Sequence, residues 1–147
     1  VLNQKYNQVL DNVAAAFGAD AEKLQKNQTI DINGTEVRFA CLESSSLCRV
    51  QVLLGRPANL TKDGLRWMLE CNSDTSMDLL PILAMDPASG NMMLCLHIPI
   101  AERGASDMLI DFLAQELDIF AQLWQAGLTS SGMALRASSN PNLIALA

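Results

Sequence analysis

The sequence predicts an α+β fold: a single domain with a mostly antiparallel, twisted sheet packed with helices. Three observations lead there. Helical periodicity marks the two ends and the middle of the chain, alternating apolar residues mark five strands between them, and most strand-to-strand links are of hairpin length. The predicted order is α-β-β-β-α-β-β-α over residues 1–128, followed by a loosely ordered Ser/Asn-rich tail at 129–147.

The first helix rests on Leu2, Tyr6, Val9, Leu10, Val13 and Phe17, apolar residues three or four apart, with Gly18 placed to cap its C-terminus. After a polar linker, TIDI-NG-TEVRFACL is a hairpin. Asn33-Gly34 is a two-residue type I′ signal, because both positions need positive φ. Val37, Phe39 and Cys41 alternate with Glu36, Arg38 and Ala40, as in a half-buried strand. ESSS (43–46) is a turn, LCRVQVLL (47–54) a third strand, and Gly55-Arg56-Pro57 its predicted end. Thr61 caps a second helix reaching about Cys71, and Asn72-Ser73-Asp74 breaks it.

LLPILAM (79–85) and NMMLCLHIPI (91–100) then form two strands around DPASG. Pro87 suits the first central position of that turn, and Gly90 a left-handed position. Ser106 is the expected cap of a long final helix. Its stripe runs through Met108, Leu109, Phe112, Leu113, Leu117, Phe120, Leu123 and Trp124 and stops near Gly127.

Composition narrows the function. The 147 residues are 50% apolar and 18% charged, with a formal net charge of −6. The ten Lys and Arg are scattered from Lys5 to Arg136, which disfavours nucleic acid as a partner. No stretch approaches the roughly 18–20 charge-free apolar residues of a membrane span. The polar, periodic N-terminus is not expected to be a secretory signal. The four cysteines (Cys41, Cys48, Cys71, Cys95) form no CxxC and suit a reduced cytosolic core.

No chemical site emerges. His97 is the single histidine, and Cys95 sits two residues before it on the same strand face, with side chains that project in parallel. A metal would need two further ligands from distant positions, and a Cys–His catalytic pair would need converging side chains. GxSxG, GxGxxG and GxxxxGK[ST] are all absent. Asp11/Glu22 and Glu116/Asp118 lie among polar neighbours and read as solvated faces. No catalytic, metal or cofactor residue is assigned, and the expectation is a non-enzyme without cofactors.

Apolar surplus is the stronger signal. On the second helix, Leu65, Met68 and Leu69 are assigned to one face, with Gly64, Trp67 and Cys71 roughly opposite. A short helix that is apolar on two sides cannot bury both against one sheet. Trp67 is then an anchor for a symmetric dimer. On the strand after DPASG, Met92, Leu94, Leu96, Ile98 and Ile100 share the core face. Met93, Cys95, His97 and Pro99 make a second face, expected to be either covered by a partner or left as a shallow exposed patch. Four of seven methionines (Met77, Met85, Met92, Met93) surround this hairpin.

These stretches resemble the class I type III secretion chaperones, the Tir-chaperone or CesT-like family. LPILAMDPASGNMMLCLHIPI, followed by SDMLIDFLAQELDIFAQLWQAGL with its Phe120/Trp124 pair, is similar to that family's strand, turn, strand and long helix. The segment Ile30 to Gly55 also fits, and the resemblance spans roughly residues 4–127. It implies a cytoplasmic bacterial homodimer, without enzymatic activity, that binds the N-terminal chaperone-binding segment of secreted effectors. That segment would be held extended, soluble and export-competent, and the complex presented to the secretion ATPase. The family's dimer helix maps onto Gly64, Trp67, Met68 and Cys71. The candidate cargo pocket is Val9, Val13 and Phe17 with Val37 and Phe39. Two other readings stand beside it: a YbjN-like regulatory or sensory protein-binding domain of the same α+β order, and a small enzyme using Cys95 or Cys71 with His97.

Overall fold

The computed structural model describes residues 2–73 and 81–136. The chain runs α1 (Leu2–Phe17), α2 (Ala21–Asn27), β1 (Thr29–Ile32), β2 (Thr35–Leu42), β3 (Leu47–Pro57), α3 (Lys62–Asn72), β4 (Ile82–Met85) and β5 (Met92–Pro99). It continues through α4 (Ala105–Asp111), a π-helical turn (Phe112–Glu116), α5 (Leu117–Ser130) and β6 (Leu135–Arg136). The sheet is antiparallel throughout, in the order β1-β2-β3-β5-β4, and β6 pairs with the far end of β3. This is the α+β class expected.

Local chemistry accounts for the turns. Gly18 takes φ +65°, and the Ala19 N–H donates to the Ala14 carbonyl at 2.8 Å, the six-to-one bond of a Schellman end to α1. Asn33 and Gly34 take φ +52° and +83°, so the hairpin turn is of the I′ kind, and Asp31 Oδ1 accepts from the Gly34 N–H at 2.8 Å. In DPASG, Asp86 accepts from the Ala88 N–H and the Ser89 hydroxyl, which in turn accepts from the Asn91 N–H. These bonds hold the Asp86 carboxyl below its usual range, the Ser89 hydroxyl contributing most.

The core lies between α1, α4 and one face of the sheet. Tyr6, Val9, Leu10 and Val13 of α1 meet Val37, Val50, Ile98 and Leu109 in one buried cluster. Met92, Leu94, Leu96, Ile98 and Ile100 are all buried, as their alternation predicted.

Several elements depart from expectation. The polar linker contains α2, capped by Asp20, whose side chain accepts from the Lys23 N–H, and closed by Gln28 at φ +57°. β3 does not end at Gly55. That residue, at φ +119°, forms a bulge against Met92 and Met93, and the strand continues to Pro57. The final helix is preceded by Gly104, not capped by Ser106, whose hydroxyl instead accepts from Asn12 Nδ2. Its stripe is also interrupted. The π turn inserts one residue, closing the Leu117 N–H onto the Phe112 carbonyl, and Leu123 is left 60% exposed. Residues 129–136 are not loose: α5 reaches Ser130, Met133 is fully buried, and β6 pairs with β3. Met77, the first two residues of the predicted strand at 79–85, and the tail from 137 lie outside the described residues.

Candidate protein-binding surfaces

The sheet has two terminal strands of opposite character. At β4, Asn72 at the end of α3 turns its amide onto the free side of the strand. Its Oδ1 accepts from the Leu83 N–H at 2.8 Å and its Nδ2 donates to the Leu83 carbonyl at 2.9 Å. Pro81, just before β4, has no N–H to offer. This edge is therefore closed to further strands by a side-chain amide that imitates one.

β1 is different. In a two-residue hairpin, Ile32 and Thr35 exchange hydrogen bonds, so Ile30 with Val37 does the same, and the residues between them point outward. The Phe39 N–H donating to the Gln28 carbonyl continues this alternation. The backbone groups of Thr29 and Asp31 thus face away from β2, and no described element pairs with them. Asp31 is also exposed.

α3 is apolar on two sides, as its sequence suggested, but the sides are used the other way round. At 100° per residue Met68 lies about 40° from Gly64, on the face shared with Trp67 and Cys71. That face points inward. A Cβ on Gly64 would lie 2.0 Å from the Met133 sulfur, and one on Gly127 of α5 would lie 2.0 Å from the Trp67 ring. Gly64 and Met68 are buried, while Trp67 and Cys71 are partly buried. Leu65 and Leu69 face out instead, Leu69 at 72% exposure, and Leu60 before the Thr61 cap is exposed beside them. On α5, Ile119 and Leu123 form a second outward apolar pair.

The five candidate cargo residues are brought together at the core. Val9, Val13, Val37 and Phe39 are buried in the core cluster, and Phe17 is partly buried against it. Their spacing marked the faces α1 and β2 turn toward one another, so none of the four buried ones presents its side chain at the surface of this chain. Thr29 and Asp31 on the open edge, and the exposed Leu60 and Ile119, were not among the candidates. The parity of the hairpin would have found the first two.

The outer face of the sheet carries Arg38, Gln51 and Cys95 in one cross-strand row and Ala40, Arg49 and His97 in the next. Arg49 Nε is buried there without a hydrogen-bond partner among the described residues. Burial pushes the Cys95 thiol up, and the Cys41 and Cys71 thiols likewise. Cys48 is pushed up to about 12. Reactive thiols need the opposite shift, so none of these cysteines is activated as a nucleophile. Among the described residues no three His, Cys, Asp or Glu side chains gather as metal ligands, and no helix is long and apolar enough to cross a membrane.

Among the described residues the chain thus combines an antiparallel sheet, whose terminal strands β1 and β4 differ in how their free sides are used, with outward apolar pairs on α3 and α5. The same fold occurs in a chaperone–effector assembly. The structure of the HopA1–SchA chaperone–effector complex contains a chain similar to this one, with a TM-score of 0.65 and 16% identity, covering 83% of this chain and 94% of that one. A chain of the ExoT–SpcS complex from Pseudomonas aeruginosa is also similar, with a TM-score of 0.44 and 16% identity over 90% of this chain and 97% of that one. No protein-family profile and no curated protein matches the chain. The fold expected from the resemblance to the secretion chaperones is the fold observed.

Proposed function

We propose that this chain is a type III secretion chaperone that binds the N-terminal segment of one or more secreted effectors in extended form. The observation that carries this reading is the open β1 edge on a fold shared with a chain of a chaperone–effector complex. An extended segment docking beside β1 would pair its backbone with Thr29 and Asp31, with affinity from main-chain hydrogen bonds and specificity from alternate side chains. Ordering such a segment keeps it unfolded and soluble while bound. The chain works in the bacterial cytoplasm, has no enzymatic role, and hands its cargo to the secretion ATPase.

Co-expression with N-terminal segments of candidate effectors from a secreting strain, followed by gel filtration, tests this. The chaperone should bring an otherwise insoluble segment into a soluble complex. Failure with every secreted protein of the strain would remove the reading and favour the regulatory-domain alternative.

The functional unit is a homodimer formed through α3. The contacting side chains are the outward Leu65 and Leu69, with Leu60, because Gly64 and Met68 are taken up inside the subunit. Trp67→Glu is then a poor probe, since it would disturb packing on Gly127. Leu69→Glu, at 72% exposure, leaves the subunit intact and places a charge in each half of a symmetric contact. Light scattering should give a dimer for the parent and a monomer for this variant at micromolar concentration. A dimeric variant would exclude α3 as the interface.

A further inference from the structure

A cleft of about 420 Å3 opens between the C-terminal end of α3, the start of β4 and the exposed side of α5. That volume lies within the roughly 300–1,000 Å3 of ligand clefts. Its walls are aromatic: Trp67 from α3, and Phe120 and Trp124 from α5, whose ring centroids are 6.0 Å apart. Glu70 is part of the lining, and among the described residues no Lys, Arg or His lines it. Arg66 reaches Glu70 from the exposed side of the helix at 2.9 Å, with both side chains mostly in solvent, so that pair is weak and exchangeable.

We propose that this cleft is a binding site for an arginine side chain of a partner polypeptide. Three features favour a cation independently. The indole and phenyl faces attract positive charge, the cleft lies at the C-terminus of α3, where the helix dipole is negative, and Glu70 offers an ionised acceptor. A guanidinium satisfies the whole arrangement, stacking flat on an indole while its N–H edge meets the carboxylate, which the compact ammonium of lysine does less well. The net charge of −6 further favours a basic visitor. The cleft's chemistry does not depend on whether β1 takes an effector.

The chain has two tryptophans, Trp67 and Trp124, and both line the cleft, so intrinsic fluorescence reports its occupancy directly. The full chain is titrated with the blocked peptide acetyl-Leu-Arg-Leu-amide and with its citrulline counterpart, which is nearly isosteric but neutral. The arginine peptide should give a saturable change and the citrulline peptide should bind at least about 5-fold more weakly. Glu70→Gln should weaken arginine binding by about 3- to 10-fold with the circular dichroism unchanged, while Arg66→Ala should leave it equal or tighter.

Equal binding of the two peptides would make the cleft an apolar groove and overturn the proposal. So would the absence of any saturable change, or an Arg66→Ala variant as weak as Glu70→Gln.

Discussion

Gly127 shows how much one missing side chain can fix. It sits inside α5, where glycine costs about 1 kcal/mol relative to alanine, yet the Trp67 indole lies where its Cβ would be. In Gly127→Ala the ring must move, and overpacking costs about 1–3 kcal/mol, enough to outweigh the gain in helix propensity. Urea unfolding should show a net loss of up to about 2 kcal/mol, with tryptophan emission shifted to the red as Trp67 is pushed outward. An unchanged midpoint would mean that the ring is not pinned. Cys48 gives a different residue-level handle. Burial, and secondarily the neighbouring Cys41 thiol, raise it from 9.0 to about 12. The folded state therefore keeps a proton that the unfolded chain releases. Its contribution is complete below pH 9 and is lost as the pH rises toward 12. Tyr6, also raised by burial, acts in the same direction. Between pH 9 and 11 the urea midpoint of the parent should fall more steeply than that of Cys48→Val, which retains Tyr6 but has no thiol to titrate.

At the scale of elements, α3 matters more than its 11 residues suggest, because its last one closes the sheet. Asn72→Ala removes both bonds to Leu83 and should cost about 1–3 kcal/mol in urea unfolding. The variant should also gain concentration-dependent light scattering, because an unpaired edge invites another strand. If only stability fell, the amide would be an anchor for α3 and not a guard for the edge. The elements themselves were mostly legible in the sequence, since the periodicities of α1, β2 and β5 follow from which faces they bury. The orientation of α3 was not. Its two apolar sides are evident from spacing, but Gly127 and Met133, which decide which one is covered, lie about 60 positions further along. The π turn was equally hidden, because a single inserted residue leaves the apolar pattern of Met108 to Trp124 readable as one unbroken stripe. The candidate cargo residues rest on the same signal: strong periodicity finds the side chains that are buried, whereas an open strand edge is made of backbone.

For the whole molecule, the contrast between its two sheet edges makes the cargo geometry testable. Among the described residues β1 is the terminal strand of the main sheet order whose free side carries no partner, whereas β4 is occupied by Asn72 and preceded by Pro81. Proline is tolerated in a strand where the lost N–H faces outward. Asp31→Pro therefore removes a donor from the open edge without breaking a bond to β2, since Ile30 and Ile32 carry those bonds. It also removes the carboxylate that accepts from Gly34 N–H, so Asp31→Ala is the matched control for that local loss. Both variants should fold, with Asp31→Ala less stable than the parent by about 0.5–1.5 kcal/mol. Only Asp31→Pro should lose the effector segment in gel filtration, because it alone withdraws a backbone donor and adds a ring at the edge. Equal retention by both would move the cargo from β1 to the outward apolar pair of α5. Equal loss would assign recognition to the Asp31 carboxylate, and charge, not strand addition, would then select the cargo.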